Sequence, residues 1–444
     1  MEVIYSKACG VDVHKRFIIA VICDSSSANP KYIRKRFSTF NNQLIAFKNW
    51  LIEHDCQNVC MESTGKYYVP VYNALEGFIS NVVVANPKWV RAIKGEKDDN
   101  KDAKWIADLF KLGLVRSSYI PSKDIRILRE FTRYQYKLIN TRSSEKNRFQ
   151  NALTVGNCKI DMVFSDVFGK SASSIINLIL SNDTYTSEDI LSKVHGRCKA
   201  SHEDILSAID GVTLDTHQKA RIEIVKNHME YVDSLLCKIQ KHIDEMIVGY
   251  ENYIQLLCTI PGVDRKSAIT IISEIGVDMS QWSSHHKLAS WAGLAPGCNE
   301  SAGKKKSVKI SRAGVYLKPC LVQVAHAAVK DKDYDYYANK FNKISKRRGK
   351  KRAIIAIARK ILVAIYHMLK TGEFFNPSDM TDIETSQKKR IEYIKNNFKN
   401  AFNQLMRTEL SSEEILAFLP TKSTDSPLKE EYTFVGVRGH YALF

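Results

Sequence analysis

Four carboxylates are the residues of this chain best placed to do chemistry. Asp12 stands in Gly10-Val-Asp-Val-His-Lys15, Glu62 in Met61-Glu-Ser-Thr-Gly65, and Asp99 and Asp102 in Lys97-Asp-Asp-Asn-Lys-Asp-Ala103. Asp12 ends one apolar run and Glu62 another, so both carboxylates are expected to emerge from neighbouring strands. A three-residue step puts Asp99 and Asp102 on one face of a helix. Four converging acids suit hard divalent cations, which take oxygen ligands. A pair of Mg2+ ions roughly 3.5 to 4 Å apart can activate and stabilise both oxygens of an in-line phosphoryl displacement. The chemistry indicated is that of a nuclease or a strand transferase. Each acid alone reads as an ordinary surface carboxylate, and only the set of four carries the reading.

The composition points the same way. Lys and Arg number 66 against 48 Asp and Glu, a formal charge of +18, and such an excess favours polyanionic partners through counterion release. Nucleic acid is the expected partner. No apolar stretch of about 20 residues and no charged-then-apolar leader is present, which argues against a membrane and for a cytoplasmic protein. With 444 residues, 44% of them hydrophobic, the chain has room for about two to four domains. The ten cysteines are scattered, mostly in apolar runs, and read as buried thiols. Cys56 and Cys60, with His54 nearby, lack the second ligand pair of a zinc site.

The elements that must position the acids follow from the apolar pattern. Ala8 to Val13, Phe17 to Cys23 and Tyr32 to Thr39 read as strands, Asn41 to His54 as a helix and Asn58 to Met61 as a strand; a further helix and a strand from Val82 to Ala85 follow. This order predicts an α/β domain with a mixed sheet. Pro87 and Gly95 mark a loop before the helix of Asp102, Ile106, Ala107, Leu109 and Phe110, and Pro121 closes the domain. From Asp124 to Thr154 apolar residues at helical intervals alternate with a basic face that includes Arg129 and Arg133. Ile222, Val225, Met229, Val232, Leu236, Ile239, Ile243 and Met246 keep the spacing of a coiled-coil seam, which suits equally a helix of a monomeric bundle and a pairing between chains.

Around Ile260-Pro-Gly-Val-Asp264 the pattern is helix, tight turn, helix, resembling a helix-hairpin-helix whose turn amides can cradle a phosphate. Asp264 replaces the usual second glycine and its charge opposes a phosphate, so a purely structural hairpin is an equal reading. The small-residue segment 299–314 reads as a loop and carries Lys304, Lys305, Lys306, Lys309 and Arg312. Residues 340–352 hold eight basic residues in thirteen and no acid, among them Lys346, Arg347, Arg348, Lys350 and Lys351. Beside the other basic segments, this run is expected to track phosphates. A helix around Ile391, Ile394, Phe398, Phe402 and Leu405 has no chemistry assigned to it.

An acid on a strand, a second at a later strand end and an acidic helix pair resemble the layout of a ribonuclease-H-like, RuvC-type nuclease site. An actin-like ATPase also begins with a strand-borne Asp but needs glycines after it, whereas Val13, His14 and Lys15 follow here. His14 reads as a hairpin residue rather than a base. Over about residues 8 to 375 the chain resembles the DEDD transposases of bacterial insertion sequences, a group related to the Piv invertase and described as bridge-RNA-guided recombinases. The motifs that carry this include Gly10-Val-Asp-Val-His-Lys, Glu62-Ser-Thr-Gly-Lys-Tyr, Lys97-Asp-Asp-Asn-Lys-Asp-Ala, Leu128-Arg-Glu-Phe-Thr-Arg-Tyr, Ile260-Pro-Gly-Val, Ser290-Trp-Ala-Gly-Leu, Glu300-Ser-Ala-Gly-Lys and Arg348-Gly-Lys-Lys.

The resemblance implies that Asp12, Glu62, Asp99 and Asp102 are the family's metal-binding tetrad and that Ser301 is its nucleophile. Asp98 stands where the family has Thr and competes with Asp99; the three-residue step to Asp102 favours Asp99. The chemistry of Ser301 also stands on its own terms. A phosphoester between protein and DNA conserves the bond energy that water would waste, and Lys304, Lys305, Lys306 and Lys309 supply charge near a weak nucleophile. From the residues alone Ser301 is one serine among many, with Ser307 and Ser311 as local competitors.

The organisation expected is a RuvC-like α/β domain at 1–122, a helical coiled-coil region at 123–250, a mostly α-helical transposase domain at 251–375 and a tail at 376–444. The resemblance further implies donor and target DNA, a structured noncoding guide RNA, dimers that pair into a tetramer, and a bacterial cytoplasmic, nucleoid-associated setting. The rival readings are a junction nuclease that uses water and a non-catalytic nucleic-acid-binding accessory protein.

Overall fold

The structure, a computed structural model, describes residues 2–27, 29–87, 99–182, 184–212, 214–297, 299–301, 304–307 and 309–377, together with a few short stretches beyond; at 99–100, 299–301 and 304–306 it describes the backbone alone. Most of the tail helix expected around Ile391 to Leu405, and the loop at Gly95, lie outside the described residues.

The N-terminal strands and helices come in the expected order: β1 (Lys7–Val13), β2 (Phe17–Asp24), β3 (Lys31–Ser38), α1 (Asn41–Glu53), β4 (Asn58–Glu62), α2 (Tyr68–Leu75), β5 (Asn81–Ala85). They build a five-stranded mixed sheet ordered β3-β2-β1-β4-β5, antiparallel from β1 to β3 and parallel among β1, β4 and β5. Alternation along the strands sorts side chains to two faces. Cys9, Val11, Val13, Val59 and Met61 pack with Phe47, Leu51, Val71 and Leu75 of α1 and α2. The intervening Ala8 and Cys60 pack with Ile106 and Phe110 of α3 (Asp99–Lys111) on the other face. Both faces are covered, which is why β1 and β2 read as continuous apolar runs.

Gly10 sets how closely α3 approaches. A Cβ there would lie 2.2 Å from the Ala103 carbonyl oxygen and 2.3 Å from the Ala107 nitrogen, so only glycine admits the helix at this depth. The amides of Ile4 and Tyr5 donate to the Lys111 carbonyl at 2.8 and 3.2 Å, pinning the C-terminus of α3 beside the start of β1. The helix therefore runs opposite to β1, and its N-terminus lies toward Asp12.

Two long helices follow, α4 (Lys123–Val155) and, after four short helices, α9 (Thr216–Met246). They pack antiparallel: Gln135 donates to Gln240 at 2.8 Å, Arg142 pairs with Asp233 at 2.6 Å, and His228 with Glu145 at 3.2 Å. The apolar seam of α9 thus meets α4 at one end and, through Ile222, Val225 and Met229, the core of the short helices α5 (Ile160–Val163), α6 (Lys170–Ser181), α7 (Ser187–Ser192) and α8 (His202–Ile209) at the other. A partner within the chain covers the seam.

The base of the α4–α9 pair shares a core with α10 (Glu251–Cys258), α11 (Arg265–Ile275), α12 (His285–Trp291), α13 (Leu317–Lys330), α14 (Tyr336–Arg348) and α15 (Lys350–Thr371). The turn between α10 and α11 is bound into that core. Gly262, at φ +82°, sits where a Cβ would lie 2.5 Å from the Ala328 nitrogen, and Asp264 caps α11 by accepting from the Ser267 amide at 2.8 Å. A carboxylate already occupies the anion position at this helix start, which favours the structural reading of the hairpin. Segment 299–314, expected as a loop, contains a β-hairpin instead: β6 (Asn299–Ser301) pairs antiparallel with β7 (Lys304–Ser307). Two residues separate Ser301 from Lys304, the shortest common hairpin connection. No helix among the described residues is long and apolar enough to cross a membrane.

Candidate active site

Asp12 and Glu62 stand next to each other at the carboxyl ends of two parallel strands. Val11 is paired with Met61, so one residue further the two acids share a row, on the face that α3 covers. Adjacent strands lie about 4.8 Å apart, which sets the separation of the two backbones. Asp12 is buried, 8% exposed, at the point where β1 turns into the hairpin to β2.

Asp102 precedes Ala103, which faces Gly10, and is one and two turns before Ile106 and Phe110 on the sheet-facing side of α3. Asp99 lies one turn before Ala103. From Gly10 to Asp12 the strand advances about 6.6 Å, and four residues of helix advance about 6 Å in the opposite sense. The first turn of α3 is thereby carried over the ends of β1 and β4. Fold and register bring the backbones of Asp12, Glu62, Asp99 and Asp102 into one region. Among the described residues no three His, Cys, Asp or Glu side chains close around a common point. The Asp99 side chain and all of Asp98 are outside the description.

His14 is a member of this region that sequence reasoning left as a hairpin residue. Its amide does donate to the Phe17 carbonyl at 3.0 Å, but its Nε2 also lies 2.9 Å from Asp12 Oδ2 and its ring is 4.5 Å from that of Phe17. The signal was present: residues two apart on a strand share a face. Cys60, beside Glu62, is buried and its thiol is pushed up to about 12 by desolvation, so it stays protonated.

Ser301 ends β6 at the tip of the hairpin, paired in register with Lys304. Of its neighbours, Lys309 and Arg312 are exposed. Ser307 accepts from the Lys309 amide at 3.2 Å and Ser311 from the Ala313 amide at 3.3 Å, so both competing hydroxyls help shape the segment that follows the hairpin.

Two of the expected phosphate contacts are engaged by the fold instead. Arg129 donates to the carbonyls of Ser273 and Glu274 at 3.0 and 2.6 Å, binding the last turn of α11, and burial lowers its pKa. Arg133 makes a two-pronged bond to the carboxylate of buried Glu274 at 2.6 and 2.8 Å; desolvation, the largest single influence, pulls its pKa down, but the bond to Glu274 and the charges around it together leave the net shift upward. Helix ends leave carbonyls without partners, and a helix packed inside a protein must have them satisfied. Tyr119 completes the set by donating to the Ile275 carbonyl at 2.6 Å, its own hydroxyl pushed up to about 12 by burial. A basic residue at helical spacing reads the same whether it meets DNA or a buried acid from another element. Lys346, Arg347, Arg348, Lys350 and Lys351, by contrast, are all exposed around Gly349, where α14 gives way to α15.

Residues 9–156 match the DEDD transposase model of the IS110 group, described as a transposase, and residues 254–339 match the model described as the transposase IS116/IS110/IS902 family. The chain belongs to the IS110 family of DEDD transposases. The two matches hold the two halves of the candidate site, the four acids in the first and Ser301 in the second. A comparison with curated proteins finds no match. As a transposase of insertion sequences, the protein has DNA as its substrate.

Proposed function

We propose that this IS110-family transposase cuts and rejoins DNA by magnesium-dependent transesterification, with Ser301 as nucleophile and a structured guide RNA selecting donor and target. The observation that carries the reading is the pair of acids at the ends of adjacent parallel strands, overlaid by the first turn of α3. The donors are all carboxylate oxygens, the kind Mg2+ takes, and Asp12, Glu62, Asp99 and Asp102 would hold it. When bound there, the metal supplies charge stabilisation at a scissile phosphate. His14, hydrogen-bonded to Asp12, would fix the orientation of that carboxylate.

Ser301 would form a bond to phosphorus as the bond from phosphorus to a DNA oxygen breaks, and a hydroxyl of the second DNA would reverse the exchange. The lysines of the hairpin would meet the phosphate charge. Acids and serine are about 200 residues apart, and the family resemblance supports their meeting across subunits, within dimers that pair into a tetramer. The exposed basic run at Lys346 to Lys351 supports a polyanionic guide recognised by backbone and shape.

The test is to incubate protein, guide RNA, both DNAs and Mg2+, and to look for DNA attached to protein after denaturation. An adduct is expected; it should vanish with chelator and in Ser301→Ala. Hydrolysed ends without adduct, unchanged in Ser301→Ala, would establish a water-using nuclease. No cleavage at all would establish an accessory binding role.

A further inference from the structure

The edge strand β3 exposes Lys31, Tyr32, Ile33, Arg34, Lys35 and Arg36 in succession, four of them basic and none acidic. Register decides which of these share the face of the acids. Ile19 pairs with Asp12 on one side and Arg36 on the other, and Val21 pairs likewise with Gly10 and Arg34. Ile19, Val21 and Ala103 pack together, so Arg34 and Arg36 stand on the face that bears α3. Lys35 goes to the opposite face with Phe37, its ammonium 5.3 Å from that ring. A single row thus crosses four strands: Glu62, Asp12, Ile19, Arg36.

At about 4.8 Å between strands, Arg36 begins about 10 Å from Asp12, backbone to backbone. A DNA strand spans that distance in about three nucleotides at about 3.4 Å of rise each. The guanidinium of Arg36 lies 3.8 Å from the Phe17 ring centroid, which holds the cation in place while its N–H edges stay available to an anion. Neither arginine pairs with a described carboxylate. Charges on edge strands commonly prevent edge-to-edge pairing, but either sign on either face serves that purpose. Here every charge is positive, two of the four stand on the face of the acids, and Arg36 stands in their row. A cluster of carboxylates repels a phosphodiester, and a basic strip on the same surface offsets that repulsion. The exposed Lys15 and Arg16 of the β1–β2 hairpin continue the strip past the end of β1.

We propose that Arg34 and Arg36 form a rail on β3 that grips the backbone of the DNA strand to be cut, a few nucleotides from the acids. The inference deepens the function proposed above and rests on the acids marking the cleavage site. The full-length protein is titrated with a short fluorescent duplex DNA, and separately with a single-stranded RNA of equal length, over a range of salt in Ca2+.

In Arg34→Gln/Arg36→Gln the slope of log K against log salt for DNA should fall in magnitude by about 1.8, two contacts at about 0.9 each. Arg34→Lys/Arg36→Lys should restore it. Lys35→Gln, on the other face of the same strand, should leave it unchanged. Should the double variant not fold, Arg36→Gln alone should shift the slope by about 0.9. Equal effects from the rail variant and Lys35→Gln, or an effect on RNA alone, would overturn the proposal. The readout needs no cleavage: a lowered slope in a protein that makes no serine adduct sinks the function while sparing the rail. An unchanged slope with full adduct formation sinks the rail alone.

Discussion

Gly10→Ala isolates the contact that sets α3 on the sheet. The added methyl would meet the Ala103 carbonyl oxygen at 2.2 Å and the Ala107 nitrogen at 2.3 Å. Both are backbone atoms, so no side-chain rotation relieves the clash and the helix itself must move. Raising the first contact to 3.0 Å, the lower limit for real Cβ neighbours, lifts α3 by about 0.8 Å. Overpacking of this kind costs about 1–3 kcal/mol, a loss that a domain with two covered sheet faces survives. The chemistry should suffer more. Asp99 and Asp102 ride on the displaced helix while Asp12 and Glu62 stay on the strands, and a misplacement near 1 Å can cost about 100-fold in rate. The assay is adduct formation with saturating guide RNA, DNA and Mg2+, set beside a urea melt of the same preparation. The expected result is a folded protein, destabilised by about 1–3 kcal/mol, that cleaves about 100-fold more slowly. A variant that melts as expected but cleaves at the wild-type rate would refute the idea that the spacing of helix and sheet builds the site.

Two further outcomes test the frame around it. Arg133→Ala leaves the carboxylate of Glu274, 3% exposed, without its two-pronged partner and should cost about 3 kcal/mol in a denaturant melt. Arg133→Met/Glu274→Leu, which removes both charges, should recover most of that, and equal losses in the two variants would show that packing rather than charge holds α4 to α11. Burial, then the neighbours His286, His367 and Arg359, lower the pKa of His285 from its ordinary 6.5. The unfolded chain therefore binds that proton more readily, and the stability conferred by the neutral ring is complete above about pH 6.5 and lost as pH falls through the lowered folded value. Melting temperature should drop between pH 7.5 and 5 by less in His285→Gln than in wild type, with ~0.15 M salt held constant; an identical drop would remove His285 as the cause.

The order of strands and helices up to Ala85 was legible because both faces of the sheet are covered and the turns are short, so the apolar runs stop where the strands stop. The four acids stand out in the sequence for a related reason. Asp12 and Glu62 stand at strand ends, where an apolar run breaks, Asp99 and Asp102 are set by their three-residue step, and the family motifs surround all four. The hairpin at Ser301 was not legible: three- and four-residue strands of Asn, Glu, Ser and Lys lack the alternation that marks a strand with a buried face.

What the residues determine by themselves is the family, through motifs that surround four carboxylates in a chain of +18 charge; metal-assisted work on a polyanion is the chemistry proposed for them. What only the tertiary structure decides is where each charge goes. Arg129 and Arg133 turn inward to the end of α11, Arg36 joins the row of Asp12, and the seam of α9 closes on α4 of the same chain. The physical reason is that local spacing fixes which side of an element a residue occupies, whereas the partner on that side is chosen by packing between segments as much as 156 residues apart.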